Sequence, residues 1–280
     1  MYTNIVTNTK SPVTLSPAFF TKSRYNDTTS ERFVPFSTGN AVDMLLSNGW
    51  ELMSAKTARV RQVARAPYAR HQAVMMHRDL GEIGGLIPTI TLSNANDGTA
   101  AFKFIAGLFR LICSNGLMVG RTFQSVSVRH LGDRDTLQSQ LLEGANTTRK
   151  MLPEVVLSAR GMMEHELSEQ DTYKFSHMAA AIRLPGAEPE RLAQVAEQMD
   201  ITRRQEDKGN DLWKVFNRVQ ESAIRGGIIN GRRRMRGLGN FNRTNDINRN
   251  LWDLAVDTKE GRLGDRYEAF RSLQDAVLSV

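Results

Sequence analysis

Hydrophobic and polar residues follow two different rhythms along this chain, and the change falls near residue 133. Before it, alternation of period two recurs, which sets successive side chains on opposite faces of an extended strand. Thr57 to Val63 alternates in this way, with Arg59 and Arg61 on one face and Ala58 and Val60 on the other. Ala69 to Arg78 places Arg70, Gln72, Val74, Met76 and Arg78 on one face. The Ala66-Pro67-Tyr68 link between these runs predicts a hairpin. Ile87 to Leu92 alternates threonine with apolar residues and predicts a third strand, set off by Gly81, Gly84 and Gly85. Phe123 to His130 predicts another, with Val126 and Val128 opposite Ser125, Ser127 and Arg129.

Two helical patterns interrupt these strands. Thr38 is placed to cap a short helix reaching Asn48, with Val42, Leu45 and Leu46 as its apolar stripe and Gly49 as its stop. Phe102, Ile105, Phe109 and Ile112 recur at helical spacing, so Thr99 to Cys113 is expected to be a core helix carrying Lys103 and Arg110 on nearly one side. From Asp135 onward the period is helical throughout. Helices are expected near 135–151, 154–166, 169–183, 188–199 and 210–224, separated by Pro153, Ser168, Pro185 and Gly209, with Ser168 and Asp171 as a capping pair. Two more follow, one around Ile247 to Ala255 and one from Asp265 to Leu278.

The fold class read from this order is α+β: an antiparallel β-sheet with a core helix in the N-terminal half, then a mostly helical C-terminal half. The organisation expected is a flexible N-terminal arm (1–32) rich in Thr, Ser and Asn, a strand-rich basic core (33–132), and a helical region (133–280) holding an arginine-rich loop at 225–245. With 40% hydrophobic residues the chain can bury a real core. It has no apolar run of membrane-spanning length and no apolar block near its start, which predicts a soluble, cytoplasmic protein. The single cysteine, Cys113, lies in an apolar run and reads as buried and inert.

Charge sharpens this picture through its distribution. The chain carries a formal net charge of +7, but Leu52 to Arg78 holds six Lys/Arg and no acid. Residues 151–224 hold 9 Lys/Arg against 13 Asp/Glu, and 225–249 hold 7 against 1. Segregated positive blocks suit a phosphate-tracking surface, because neutralised phosphates release counterions and drive association; unrelated solvated faces are the alternative. The candidate nucleic-acid contacts are Lys56, Arg59, Arg61, Arg65, Arg70, Arg78, Lys103, Arg110 and Arg129, joined by Arg232, Arg233, Arg234 and Arg236 of the glycine-flanked loop. Tyr68 and His71 are candidate base-stacking rings. The arginine loop can equally meet the acidic block of a second copy.

Catalytic signals are weak. Neither His130 near Asp133 and Asp135 nor His165 between Glu164 and Glu166 has a metal-ligand spacing, and Gly226 to Gly231 lacks the Gly-Lys-Ser/Thr ending of a phosphate loop. No catalytic residue, metal or cofactor is expected.

The run from Ala101 through Cys113-Ser114-Asn115-Gly116 to Leu117, followed by Val126-Ser127-Val128-Arg129-His130, resembles a phage- and plasmid-like family catalogued as a domain of unknown function, number nine-three-two. The segment leading into Asn248 to Ala255 is similar to the end of that domain, so the resemblance covers roughly residues 35–256. It implies a mobile-element protein without an established reaction. The order of hairpin, core helix and basic groove is similar to single-strand annealing proteins of phage recombination systems. That similarity implies single-stranded DNA and further copies of the chain, in a ring or filament, as partners, with no membrane. It implies a groove with Lys103 and Arg110 on its floor and Arg59 and Arg61 on its wall, holding the backbone without sequence readout. Two other readings stay open: an anti-defence or regulatory protein that binds a host protein, and a metal-dependent nuclease using His130, Asp133 and Asp135.

Overall fold

In the computed structural model the described residues are 4–5, 13–25, 28–80, 86–110, 113–118, 126–131, 133–230 and 233–278. The chain divides into two compact units, one of residues 1–118 and 123–156, the other of 119–122 and 157–280. The fold class is α+β, with an antiparallel sheet in the N-terminal half and helices dominating the C-terminal half.

In the first unit β1 (Asn4–Ile5) pairs with β2 (Val13–Thr14), and α1 (Thr38–Ser47) precedes the main sheet. That sheet runs in the order β3 (Trp50–Thr57), β4 (His71–His77), β5 (Leu86–Asn94), β6 (Phe102–Arg110), β7 (Cys113–Met118), every pairing antiparallel. Strand β8 (Val126–Val128) pairs with Phe102 to Phe104 of β6, while β7 pairs with Gly107 to Arg110. Buried Trp50, Leu52, Met75, Leu92 and Phe104 supply the core, to which α1 adds Val42 and Leu45. The cap of α1 is Ser37, whose Oγ accepts from the Asn40 N–H; Thr38, expected there, is instead a buried member of a side-chain network.

The helix expected over Thr99 to Cys113 is strand β6. Phe102, Phe104, Ala106 and Leu108 alternate with Lys103, Ile105 and Gly107, and both sets have apolar members. A strand buried on both faces therefore reads as a continuous apolar run in which helical spacing appears by accident. The strand expected over Thr57 to Val63 ends at Thr57, because its partner β4 begins at His71; the Ala58 N–H to Arg70 carbonyl bond is the last rung. The 1–32 segment, expected as a flexible arm, is anchored in its middle. A 3-10 turn at Pro17–Phe20 buries Ala18 and Phe19 completely.

Helix α2 (Arg134–Met163) starts in the first unit and ends in the second, running through Pro153 where a break was expected. The proline removes one internal hydrogen bond, and Leu152, Val155 and Val156 around it are buried. Gly144 of α2 marks a close approach to the sheet: a Cβ there would lie 2.8 Å from Phe104 Cδ2 and 3.1 Å from Val126 Cγ1. Gly to Ala in an exposed helix normally stabilises by about 1 kcal/mol. Here Gly144→Ala is expected to lower the urea midpoint, with an overpacking cost of about 1–3 kcal/mol, and a raised midpoint would refute the close-packing account.

The second unit contains α3 (Glu169–Arg183), α4 (Pro189–Met199), α5 (Leu212–Arg225), a hairpin of β9 (Ile229–Asn230) and β10 (Arg233–Arg234), α6 (Phe241–Lys259) and α7 (Leu263–Leu278). Ser168, Asp211 and Asn240 cap α3, α5 and α6 by accepting from the N–H groups of Asp171, Lys214 and Arg243. Phe175, Phe216, Leu251 and Trp252 are fully buried at the centre of this unit.

Candidate nucleic-acid interface

Where β3 ends, the chain leaves the sheet as an exposed loop, residues 58–62, and returns through a 3-10 turn at Val63–Tyr68. Lys56, Arg59 and Arg61 are exposed, and no described residue makes an ion pair or hydrogen bond with their side chains. Val63 is 87% exposed, so the turn projects into solvent.

The end of β3 and the 3-10 turn are pinned against the N-terminal segment by three side chains, one meeting the strand and two the turn. Ser16 Oγ lies 2.7 Å from Thr57 Oγ1, Thr21 Oγ1 donates to the Pro67 carbonyl at 2.5 Å, and Ser23 Oγ lies 3.1 Å from the Tyr68 hydroxyl. This docking brings the Tyr25 and Tyr68 rings to 5.1 Å between centroids, with the Arg65 guanidinium 5.4 Å from the Tyr25 centroid. Arg65 also meets Asp97 at 3.8 Å, and Arg70 donates to the Thr99 carbonyl at 3.0 Å. Burial pulls the Arg70 pKa down, and Asp97 partly offsets it. The Asp97 carboxylate also accepts from the Thr99 N–H and hydroxyl, so it is largely committed. The result is a cationic turn in which Arg65 lies beside two tyrosine rings; Lys22 of the docked segment lines a separate cleft with Phe36, Asn40, Met44 and Gln138.

Across the sheet, Lys56, Gln72, Ser93, Lys103 and Ser127 are partners in one cross-strand row and so share a face. Lys56 is exposed and Lys103 half-buried, but Gln72 and Ser93 between them are 8% and 7% exposed. The expected groove with Lys103 on its floor is therefore closed in the middle, and the core helix expected to line it is absent. Arg110 ends β6, with its side chain outside the described residues, as is that of Cys113.

His71 is withdrawn from the candidate stacking rings. It is fully buried, its Nδ1 lies 2.8 Å from the Ala69 carbonyl, its Nε2 lies 2.6 Å from Thr38 Oγ1, and Phe19 packs on it at 4.3 Å. Burial pulls its pKa down to about 4. Arg78 is exposed and engages Glu51 at 3.5 Å. Exposed Arg129 lines a cleft with Leu131, Gln140 and Glu143, apart from the 56–65 loop in sequence and shared with an acid.

In the second unit Arg233 and Arg234 are exposed on β10, Arg236 is exposed beyond it, and Arg232 lies outside the described residues. The nuclease constellation is not assembled. His130 is buried between the Val34 carbonyl at 3.0 Å and Asn94 Oδ1 at 2.8 Å, while Asp133 accepts from the N–H and hydroxyl of Thr136. Among the described residues no group of three His, Cys, Asp or Glu is placed to hold a metal ion. Sequence reasoning missed Tyr25, which lies inside a segment whose polar composition pointed to disorder.

The family described as Domain of unknown function (DUF932) matches residues 27–252. The chain belongs to the DUF932 family. Two Escherichia coli (strain K12) proteins, UPF0380 protein YafZ and UPF0380 protein YfjQ, are each 30% identical to it over 244 residues, covering 85% of this chain and 86% of either relative. No solved structure matches it. The DUF932 match takes in both the 56–65 loop and the β9–β10 hairpin, and begins just after Lys22, Arg24 and Tyr25.

Proposed function

We propose that this protein binds and anneals single-stranded DNA in a phage or plasmid recombination system, gripping the phosphate backbone without reading sequence. The observation that carries this reading is the exposed loop with Arg59 and Arg61, continued by a turn in which Arg65 lies beside the Tyr25–Tyr68 pair. Guanidinium groups position a strand through its phosphates, and tyrosine rings stack on any base. Because the middle of the sheet face is closed, the strand runs along the cationic edge, past Arg59, Arg61 and Arg65. Contact through phosphates and ring faces leaves Watson–Crick edges available to a complementary strand. Annealing needs several such edges in series, so the working form is a homo-oligomer, and the setting is the cytoplasm of a bacterial host. Among the described residues no helix is long and apolar enough to cross a membrane.

Binding of a labelled oligonucleotide across a salt series tests the reading. Affinity is expected to fall log-linearly with salt. Arg59→Ala with Arg61→Ala is expected to flatten the slope by about 1.4, roughly 0.7 for each single-strand phosphate no longer neutralised. Absence of binding at low salt would end the proposal, and an unchanged slope in the double variant would remove the loop from it.

A further inference from the structure

The paired strands β9 and β10 are held firmly at their root. The Gln198 side chain of α4 holds its root with both ends of its amide: Oε1 accepts from the Ile229 N–H at 2.8 Å, and Nε2 donates to the Ile229 carbonyl at 3.1 Å. The amide thus occupies the outer edge of β9 as a third strand would. The pairing continues toward the base through Met235 N–H to Ile228 carbonyl and Gly227 N–H to Met235 carbonyl, both 2.8 Å. Gly226, at φ +70°, lets the return strand pass where any Cβ would strike the Met235 carbonyl.

The charge on these strands is unneutralised. Arg233 stands opposite Asn230, and Arg234 opposite Ile229, so the two arginines lie on opposite faces of the ribbon; both are exposed. Neither meets a carboxylate among the described residues. Where the chain leaves β10, Arg183 is 5% exposed, donating from Nε to the Ala223 carbonyl at 2.8 Å and from a terminal nitrogen to the Arg236 carbonyl at 2.9 Å. Its own carbonyl accepts from Arg243 at 3.2 Å. A buried guanidinium held by carbonyls and flanked by a second arginine, with no described acid against it, leaves a positive potential that an external anion would offset. Burial first, and Arg243 second, pull the Arg183 pKa down.

We propose that the β9–β10 hairpin is a second DNA-contact element that takes double-stranded DNA, entering the major groove with one arginine toward each phosphate wall. The B-form major groove admits a two-stranded ribbon, and cations on both faces at one level match phosphates on two sides. A single strand offers only one such row. The inference rests on the preceding section for the ligand class, DNA, and adds a separate site and the duplex form, the product of annealing.

The test measures binding of one labelled sequence as single strand, as DNA duplex and as RNA duplex, with the full chain, its Arg233→Ala/Arg234→Ala variant and its Arg59→Ala/Arg61→Ala variant. Both pairs are exposed, so folding is expected to survive, checked by far-ultraviolet circular dichroism. The hairpin variant is expected to lose tenfold or more in duplex DNA affinity, with a salt slope lower by about 1.8, while single-strand binding changes less than twofold. RNA duplex, whose major groove is deep and narrow, is expected to be insensitive to it. Unchanged DNA duplex binding, equal loss on single strand and duplex, or equal loss on RNA duplex would overturn the groove assignment. So would a change of oligomeric mass in place of a change in binding. If single-strand binding depends on Arg59 and Arg61 while duplex binding ignores the hairpin, only this inference fails. If duplex binding depends on the hairpin while single strands do not bind, only the annealing function fails.

Discussion

Arg218→Ala is expected to destabilise the C-terminal unit by about 3 kcal/mol, the lower end of the range for removing one partner of a buried, hydrogen-bonded ion pair, because Asp200 keeps partial access to water. Arg218 projects from α5 and is 4% exposed. Its Nε and one terminal nitrogen bind both oxygens of Asp200 at 2.6 and 3.0 Å, and the other terminal nitrogen donates to the Asp207 and Gly209 carbonyls. One planar group thus ties the end of α4, the 200–211 connection and α5 together. Truncation removes the fork from an Asp200 side chain that is 27% exposed, and takes the Arg218 donor away from the Asp207 and Gly209 carbonyls. At this size the melting temperature should fall by roughly 10 °C. Arg218→Lys should recover little of the loss, because an ammonium cannot form the two parallel bonds. A calorimetric shift of only a degree or two in Arg218→Ala would show that the pair adds nothing beyond the surrounding apolar packing.

The contrast between Arg218 and Arg59 shows where sequence reasoning reaches and where it stops. Both arginines stand in polar-apolar patterns that look alike, yet one is a buried clamp and the other an exposed cation. The difference is set by which strand or helix lies opposite. β4, β5 and the helices from α3 to α7 were legible because their signals are local: alternating threonines in β5, Ser168 as a cap, Pro189 in the first turn of α4. Strand β6 was not, since its identity is fixed by pairing on both edges with β5, β7 and β8. The same limit governs the site. Acid-free Leu52 to Arg78 pointed to Arg59, Arg61 and Arg65 through charge alone, whereas Tyr25 reaches Tyr68 only through the docking of Ser16 to Tyr25 on a segment more than forty residues away. His71 shows the reverse error: a histidine beside a tyrosine looks like a second stacking ring, and strand alternation turns it inward.

That inward turn makes the N-terminal unit acid-sensitive. In the neutral form His71 donates from Nδ1 to the Ala69 carbonyl, so its Nε2 accepts from the Thr38 hydroxyl, which in turn accepts from Asn94 Nδ2 at 2.9 Å. Charging His71 would require a proton where Thr38 now donates, in a site closed to water. Its pKa accordingly falls from 6.5 to about 4, through burial first, opposed by the Ala69 bond and reinforced by nearby His130. Burial lowers the pKa of His130 as well. Both His130 nitrogens face acceptors, however, so protonation there gains a bond, and of these two His71 carries the larger acid sensitivity. Below pH 6.5 the unfolded chain binds a proton at His71 that the folded chain refuses. The stability this residue contributes is therefore complete above that pH and is lost as pH falls toward 4, to a total of about 3 kcal/mol. Urea midpoints at pH 7.5 and pH 4.5 should differ accordingly, and His71→Gln, which cannot titrate, should be less stable at neutral pH but flatter across the window. A variant that keeps the full slope would place the acid sensitivity elsewhere. Because Phe19 packs directly on His71, protonation loosens the segment that carries Lys22, Arg24 and Tyr25, so single-strand affinity should weaken over the same window even though lower pH makes the chain more positive.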